Sequence, residues 1–394
     1  VFIVMVAMLG LVVGAVATVA RAHGSGDHER CNHVLRQASL LTILMGGLVA
    51  IFGNLLARPI VVALGAQGPS VEASLEYLRP MLTFAVFYYL SVLYAAVLRG
   101  VGNTMLPFLV ALGYNALNVV FNYGLILGNF GLPAMGVEGA AIGTVASQAC
   151  GVVAMVWLLR RGTVAPLQMP LAWVPIDRTL ARTLFRVGWP AALDMVLINA
   201  SFASIIGMLG RIDPVAVAAH GIGLRIQALA FVPGLSVSQA TGAMVGNALG
   251  ARNVAEAKQV VRASVLLCTS IMSGLGLLII AGAEPIVGIF DVESGTPLMS
   301  YSVMWMKLLG YGMPIVGVQI ALIGLLRGAG ATGTSLRINF VGTMLQIPLS
   351  WLLGFPLGFG AWGVWAAFPL SYVLKVMLSV LAYRSGAWAK VGRL

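Results

Sequence analysis

The feature that most constrains this chain is a series of apolar stretches, each long enough to cross a lipid bilayer. A bilayer core about 30 Å thick is spanned by about 20 helical residues. Eleven such stretches occur, near 1–20, 38–57, 81–98, 105–128, 139–159, 187–210, 214–248, 263–283, 308–326, 338–354 and 361–383. They are continuously apolar and rich in Leu, Ala and Gly, which favours helices over alternating barrel strands. With 60% hydrophobic and 9% charged residues, the chain is predicted to be an all-α integral membrane protein.

The formal net charge of +11 follows from how the basic residues are placed between these stretches. Seventeen Lys and Arg residues fall in alternate loops and the C-terminal tail, whereas the intervening loops hold Arg58, Arg79 and Arg211. This asymmetry is the positive-inside pattern of membrane proteins. It predicts a plasma membrane protein, of the bacterial inner membrane type, with a cytoplasmic C-terminus, and it explains the basicity without a nucleic-acid partner.

The two halves of the chain are copies of one another. The segment LRGVGNT at 98–104 returns as LRGAGAT at 326–332, an offset of 228 residues. Both copies lie in basic loops, so the repeats are parallel and each needs an even number of spans. The second half has six spans and the first shows five. We therefore expect an intact protein of twelve helices whose first helix precedes residue 1 and whose two termini are both cytoplasmic.

The repeat predicts two lobes joined by a linker. We expect an N-terminal lobe at 1–160, a cytoplasmic linker at 161–186 and a C-terminal lobe at 187–394. The linker carries Pro166, Pro170 and Pro175, then arginines at every fourth residue from 178 to 186 opposite Leu180 and Leu184. That pattern indicates a short amphipathic helix on the inner membrane surface.

Several motifs resemble those of the multidrug and toxic compound extrusion family. They are GWPAALD at 188–194, AAHGIGLRI at 218–226, FVPG at 231–234, VGNALGA at 245–251 and the two LRG-x-G-x-T segments. The resemblance implies two lobes of six helices around a central cleft and alternating access driven by H⁺ or Na⁺. It implies export of organic cations or drugs by antiport, with no other cofactor. Flippases for lipid-linked saccharides share this general fold, so that substrate class remains an alternative.

Asp194 is the strongest candidate for ion coupling, because it alone of the 12 acidic residues falls well inside a predicted span. Such a carboxylate normally lines a wet cavity or has a partner. By helix rise, Asp194 lies about 24 Å and Arg225 about 18 Å from the outer helix ends, so the two could pair as a gate. The alternatives are a structural Asp194 beside Pro190 and an Arg225 that snorkels to the interface. Asn199 completes the candidate ion-coupling set.

Uncharged polar and aromatic residues within the spans are candidates for the substrate cleft. Each one alone is more often a contact between helices than a ligand. Clustered, they would suit weak, promiscuous binding of a small cationic, amphipathic molecule. The candidates are Asn118, Asn122, Gln148, Gln227, Phe231, Tyr311, Gln319 and Gln346. No nucleophile arrangement or extramembrane domain indicates an enzyme, no metal-site spacing is present, and we expect a monomer.

Overall fold

A computed structural model describes residues 2–63, 65–164, 167–168 and 175–390, and every regular element within these ranges is helical. The helices are α1 (Phe2–Gly24), α2 (His28–Ala63), α3 (Pro69–Thr83), α4 (Ala85–Gly100), α5 (Met105–Leu127), α6 (Gly136–Arg160), α7 (Arg178–Ile212), α8 (Pro214–Gly250), α9 (Val254–Ala281), α10 (Ala283–Gly288), α11 (Pro297–Gly328), α12 (Thr332–Gly354) and α13 (Gly360–Arg384), followed by a 3₁₀ turn at Ala387–Ala389. Each of the eleven predicted stretches falls on one of these helices or helix pairs. The predicted all-α membrane fold is therefore confirmed.

The number of helices that are both long and apolar enough to span a membrane is smaller than eleven in the described residues. Eight single helices meet that test, or nine when α3 and α4, bent by 51° relative to each other, are taken as one span. The described apolar part of α1 is the shorter helix Met8–Gly24. Helix α12, which carries Arg337, Asn339 and Gln346, does not meet the test.

The two LRG-x-G-x-T segments have the same local structure. Helix α4 ends at Gly100 and α11 ends at Gly328, and in each case the second glycine of the motif adopts positive φ, 85° at Gly102 and 74° at Gly330. The amide of Asn103 donates to the carbonyl of Leu98 at 2.9 Å, and that of Ala331 donates to the carbonyl of Leu326 at 2.7 Å. Glycine is favoured there because other residues avoid this left-handed conformation.

Contacts between residues divide the chain into one unit that ends at Trp189 and a second that begins at Pro190. In the first unit, the early turns of α7 pack closely on α1: a side chain at Gly188 would overlap the carbonyl of Gly10. Residues 178–186, predicted as a separate surface helix, are instead the first turns of the continuous α7. Leu180 and Leu184 bury their side chains there, which anchors this part of the helix.

The start of α7 is held by residues at the beginning of α2. Asp177 Oδ1 accepts hydrogen bonds from the amides of Thr179 (2.9 Å) and Leu180 (3.0 Å), and Asp177 Oδ2 lies 3.0 Å from His33 Nε2. Gln37 Nε2 donates to the carbonyl of Pro175 at 2.7 Å. The other two linker prolines, Pro166 and Pro170, lie outside the described residues. A capping carboxylate and two long-range contacts thus fix where α7 begins.

In the second unit, small residues allow close helix packing. A side chain at Gly324 would meet Ser238 of α8, and one at Gly328 would overlap the backbone of Gly242. This is the packing expected in lipid, where helices associate through close backbone approach. It brings the end of α11 that carries Arg327 tightly against α8.

Candidate ion-coupling site

Asp194 lies on α7 inside the second unit and is fully buried. Its Oδ2 accepts a hydrogen bond from Arg327 Nη2 at 3.0 Å, and its Oδ1 accepts one from Asn339 Nδ2 at 2.7 Å. Three helices, α7, α11 and α12, each contribute one of these side chains. Both carboxylate oxygens therefore already have donors, one of which is a cation.

Arg327 reaches Asp194 because α11 continues farther than the sequence indicated. Residues 327–337 were expected to form a loop, but α11 ends at Gly328 and α12 begins at Thr332, which leaves a three-residue turn. The Arg327 side chain is 24% exposed and that of Asp194 is 1% exposed. This partly shielded ion pair is the only ion pair that the described residues of the second unit form.

A second cation lies near the same carboxylate. Lys375 of α13 is buried, with its Nζ 4.6 Å from the centroid of the Tyr372 ring, and it packs on α12 one turn from Asn339, the residue of that helix that binds Asp194. Its stem lies against Gly342 of α12, where an added Cβ would overlap the lysine Cγ and Cε. The ion-coupling cluster, defined as Asp194, Arg327, Asn339 and Lys375, thus contains one acidic and two basic side chains.

The predicted pair between Asp194 and Arg225 is not formed. Arg225 lies on an exposed face of α8, with its guanidinium 6.0 Å from the centroid of the Phe290 ring. Similar depths along two helices do not ensure contact, because contact also requires that the two side chains point toward each other around the helix axes. Asn199 is exposed, and its Nδ2 donates to the carbonyl of Met195 in its own helix at 2.8 Å. Neither residue joins the cluster.

The cleft candidates of the second unit lie in different environments. Gln319 accepts a hydrogen bond from Ser379 at 2.9 Å, and Gln346 accepts one from Ser371 at 3.2 Å, so both buried amides connect their helices to α13. Gln227 is 3% exposed, and its Oε1 has no partner among the described residues. The remaining two candidates differ in exposure: Phe231 packs partly buried against the core, and Tyr311 is 65% exposed.

The cleft candidates of the first unit are uncharged and partly linked to one another. Asn122 Nδ2 donates to Asn118 Oδ1 at 3.2 Å, and Asn118 Nδ2 donates to Thr144 Oγ1 at 3.3 Å. Asn122 Oδ1 is buried without a hydrogen bond and lies against Gly143. Gln148 is half-buried on α6. This amide cluster connects α5 with α6 and contains no titratable group.

Sequence reasoning missed Arg327 and Asn339, which are the two direct partners of Asp194. Arg327 belongs to the LRG-x-G-x-T segment and was interpreted only as part of a basic loop, and Asn339 is one polar residue among many. The signal that could have found Arg327 is its position at the end of the apolar α11, three residues before the turn glycine Gly330. An arginine there is close enough to the helix to fold back toward a buried acid.

Long apolar helices, an internal repeat, and a buried ion pair within one repeat define a class of protein, the polytopic membrane transporters. The MatE family model matches residues 1–124 and 190–352. This chain is therefore a member of the MatE family of transporters, as the motifs indicated.

Curated relatives match along nearly the whole chain. The chain is 26% identical over 390 residues to "Probable multidrug resistance protein NorM" of Thermotoga maritima, covering 99% of this chain and 83% of the relative. It is 30% identical over 397 residues to a protein of the same name from Agrobacterium fabrum, covering 97% of this chain and 83% of the relative.

Solved structures share the fold. The outward-facing conformation of a multidrug resistance MATE family transporter of the MOP superfamily superposes with a TM-score of 0.91 at 21% identity, covering 100% of this chain and 86% of that one. A MOP superfamily transporter from Pyrococcus furiosus, described as having a binding pocket of reverse polarity, superposes with a TM-score of 0.90 at 20% identity, covering 99% and 86%. At these identities the likeness shows the fold alone.

Proposed function

We propose that this transporter exports small, amphipathic organic cations by alternating access, in exchange for H⁺ or Na⁺ that binds at Asp194. The observation that carries this proposal is the fully buried Asp194 carboxylate, held by Arg327 and Asn339. Buried acids in membrane helices mark ion and proton pathways. The names of the curated relatives, multidrug resistance proteins, support the substrate class.

Of the two ions, the geometry favours H⁺. A Na⁺ ion at Asp194 would need free oxygen ligands, but both carboxylate oxygens accept from N–H donors and one donor is a guanidinium. A proton needs only one oxygen lone pair. Protonation would neutralise Asp194 and weaken its pair with Arg327, which gives the second unit two distinct arrangements.

Transport in proteoliposomes tests this proposal. Ethidium movement would be measured with a pH gradient, with a Na⁺ gradient and as counterflow without an ion gradient. We expect transport driven by the pH gradient, and we expect Asp194→Asn to reduce it at least about tenfold while counterflow persists. Asp291→Asn is the matched control, because Asp291 is exposed and its φ of 57° suits asparagine.

Three results would contradict parts of the proposal. Wild-type gradient-driven transport in Asp194→Asn would remove the role of Asp194. Transport driven by Na⁺ and not by the pH gradient would overturn the choice of ion. Absence of ethidium transport and of competition by other organic cations would overturn the substrate class.

The orientation proposed is an inner membrane protein with its basic loops and its C-terminus in the cytoplasm. Ser294 lies just before α11 and Ser385 just after α13, and both are exposed. The predicted topology puts these two positions on opposite sides of the membrane. In a Cys150→Ala background, we expect an impermeant maleimide to label Ser294→Cys in intact spheroplasts and Ser385→Cys only in inverted vesicles. The reverse labelling pattern would overturn the orientation.

A further inference from the structure

Lys375 is an unusual residue within the second unit. It is 5% exposed, and its Nζ lies over the Tyr372 ring without a hydrogen bond to any described residue. A lysine in a membrane helix ordinarily extends its ammonium to the interface. Here the stem packs against Gly342, so that the side chain stays inside the bundle. Anchoring at the membrane interface therefore does not explain why Lys375 is buried.

The charges around Lys375 do not balance when every group is ionised. Asp194 supplies one negative charge, and it is already paired with Arg327. A protonated Lys375 adds a second positive charge to the same buried region. Burying unbalanced charge costs free energy, and an arginine cannot relieve it because its guanidinium stays protonated. A lysine can relieve it by losing its proton.

The groups that face Lys375 are few. Tyr372 lies on the same helix as Lys375. Asp194 of α7 is held by Asn339, one turn along α12 from the Gly342 against which Lys375 packs, and Arg327 of α11 is paired with Asp194. Helix α12 contributes Gly342 and the amides of Asn339 and Gln346, whereas its Arg337 is exposed. The 3₁₀ turn Ala387–Ala389, which packs on α13, has no titratable side chain. Asp194 is therefore the acid with which Lys375 would exchange a proton.

We infer that Lys375 is a second proton-exchange residue of this transporter and shares one transported proton with Asp194. The inference rests on the proposed function, because it assigns a further residue to the same exchange. Without the proton, Lys375 is neutral, Asp194 is ionised beside Arg327, and the cluster has no net charge. With it, the proton is on Lys375 Nζ or on Asp194. In the transfer an N–H bond breaks, an O–H bond forms, and no electrons are gained or lost.

Two substitutions separate this role from simpler ones. Lys375→Met keeps the length of the side chain but cannot bind a proton, and Lys375→Arg keeps a positive charge that cannot be lost. We expect both to reduce pH-gradient-driven ethidium transport at least about tenfold, while counterflow without a gradient stays within about threefold of wild type. Lys307→Met is the matched control, because Lys307 is exposed on α11.

The outcomes distinguish the inference from the proposed function. Wild-type gradient-driven transport in Lys375→Met would mean that Lys375 only packs, and loss in Lys375→Met with full activity in Lys375→Arg would mean that only a fixed charge is needed. Either result overturns the inference. If Asp194→Asn also keeps gradient-driven transport, the proposed function fails as well; if only Asp194→Asn loses it, the proposed function stands.

A measurement on the wild-type protein covers the case in which both variants fail to fold. Protons released when ethidium binds to the detergent-solubilised transporter would be counted with a pH dye between about pH 5 and pH 10, a range that includes carboxyl and lysine titration. Two interacting groups predict two titration steps in this profile. A single step would overturn the inference.

Discussion

The two units of this protein use polar residues in different ways. In the first unit, Asn118, Asn122 and Thr144 join α5 to α6 through neutral side chains. In the second unit, the buried Asp194 forms an ion pair with the partly exposed Arg327, and Lys375 packs one turn of α12 away from Asn339, the other partner of Asp194. The difference shows how the described parts of two copies of one helical repeat can use different side chains between helices: neutral amides and a hydroxyl in one, and an acid held by a cation in the other. Ion exchange is therefore expected in the second unit.

Substitution of Arg327 gives the largest expected effect and tests directly whether the two units differ. Arg327→Met leaves the Asp194 carboxylate buried without its cationic partner, which typically costs about 3–5 kcal/mol of stability. We expect a large loss of resistance to unfolding by sodium dodecyl sulfate, together with loss of gradient-driven transport. The control is Arg58→Met in the first unit, where the pair with Glu72 is 65% and 60% exposed and should contribute little. Equal effects of the two substitutions would refute the difference between the units.

A smaller change displaces Lys375 without altering it. In Gly342→Ala the new methyl group would overlap the lysine Cγ and Cε. Enlarging a packed side chain costs about 1–3 kcal/mol, and we expect reduced pH-gradient-driven transport with near-normal counterflow. Gly333→Ala on the same helix is the control, because nothing lies within 4 Å of its added Cβ. Gradient-driven transport that is equal in the two variants would show that the position of Lys375 does not matter.

Loss of a neutral polar side chain in the first unit should have little effect on transport. Asn122→Ala removes one donor to Asn118, and hydrogen bonds between membrane helices contribute only about 0.6 kcal/mol on average. We expect pH-gradient-driven transport within about threefold of wild type. If this variant lost coupling as fully as Asp194→Asn, ion exchange could not be assigned to the second unit alone.

The smallest effect concerns an exposed carboxylate of the first unit. Hydrogen bonds from the Leu180 amide, His33 and the Thr179 amide lower the pKa of Asp177 below its ordinary value. Because the folded pKa is the lower one, this stabilisation is present above the ordinary carboxyl pKa of about 3.9 and is lost as the pH falls through the folded pKa. The melting temperature of wild type should exceed that of Asp177→Asn slightly at pH 7, and the gap should close in acid. A gap that is independent of pH would contradict this account.

Much of the fold could be predicted because its causes are local. Each apolar stretch of about 20 residues must be helical in lipid to satisfy its own backbone. The repeated LRG-x-G-x-T segment, predicted to lie in equivalent loops, forms equivalent turns, since the Gly102 and Gly330 conformations depend on the motif itself. The start of helix α7 was not predicted. Burial of Leu180 and Leu184 extends this helix through a segment whose pattern indicated a separate surface helix.

The sequence by itself determined that Asp194 is the exceptional acid, since a carboxylate within an apolar stretch is costly wherever the chain places it. Only the tertiary structure decided which residues hold it. Arg327 and Asn339 lie 133 and 145 residues farther along the chain, whereas the expected partner Arg225 points elsewhere. Hydrophobicity is a property of each segment and can be read from the chain in order. An ion pair between helices depends on how those helices rotate and pack, and that is set by all of their contacts together.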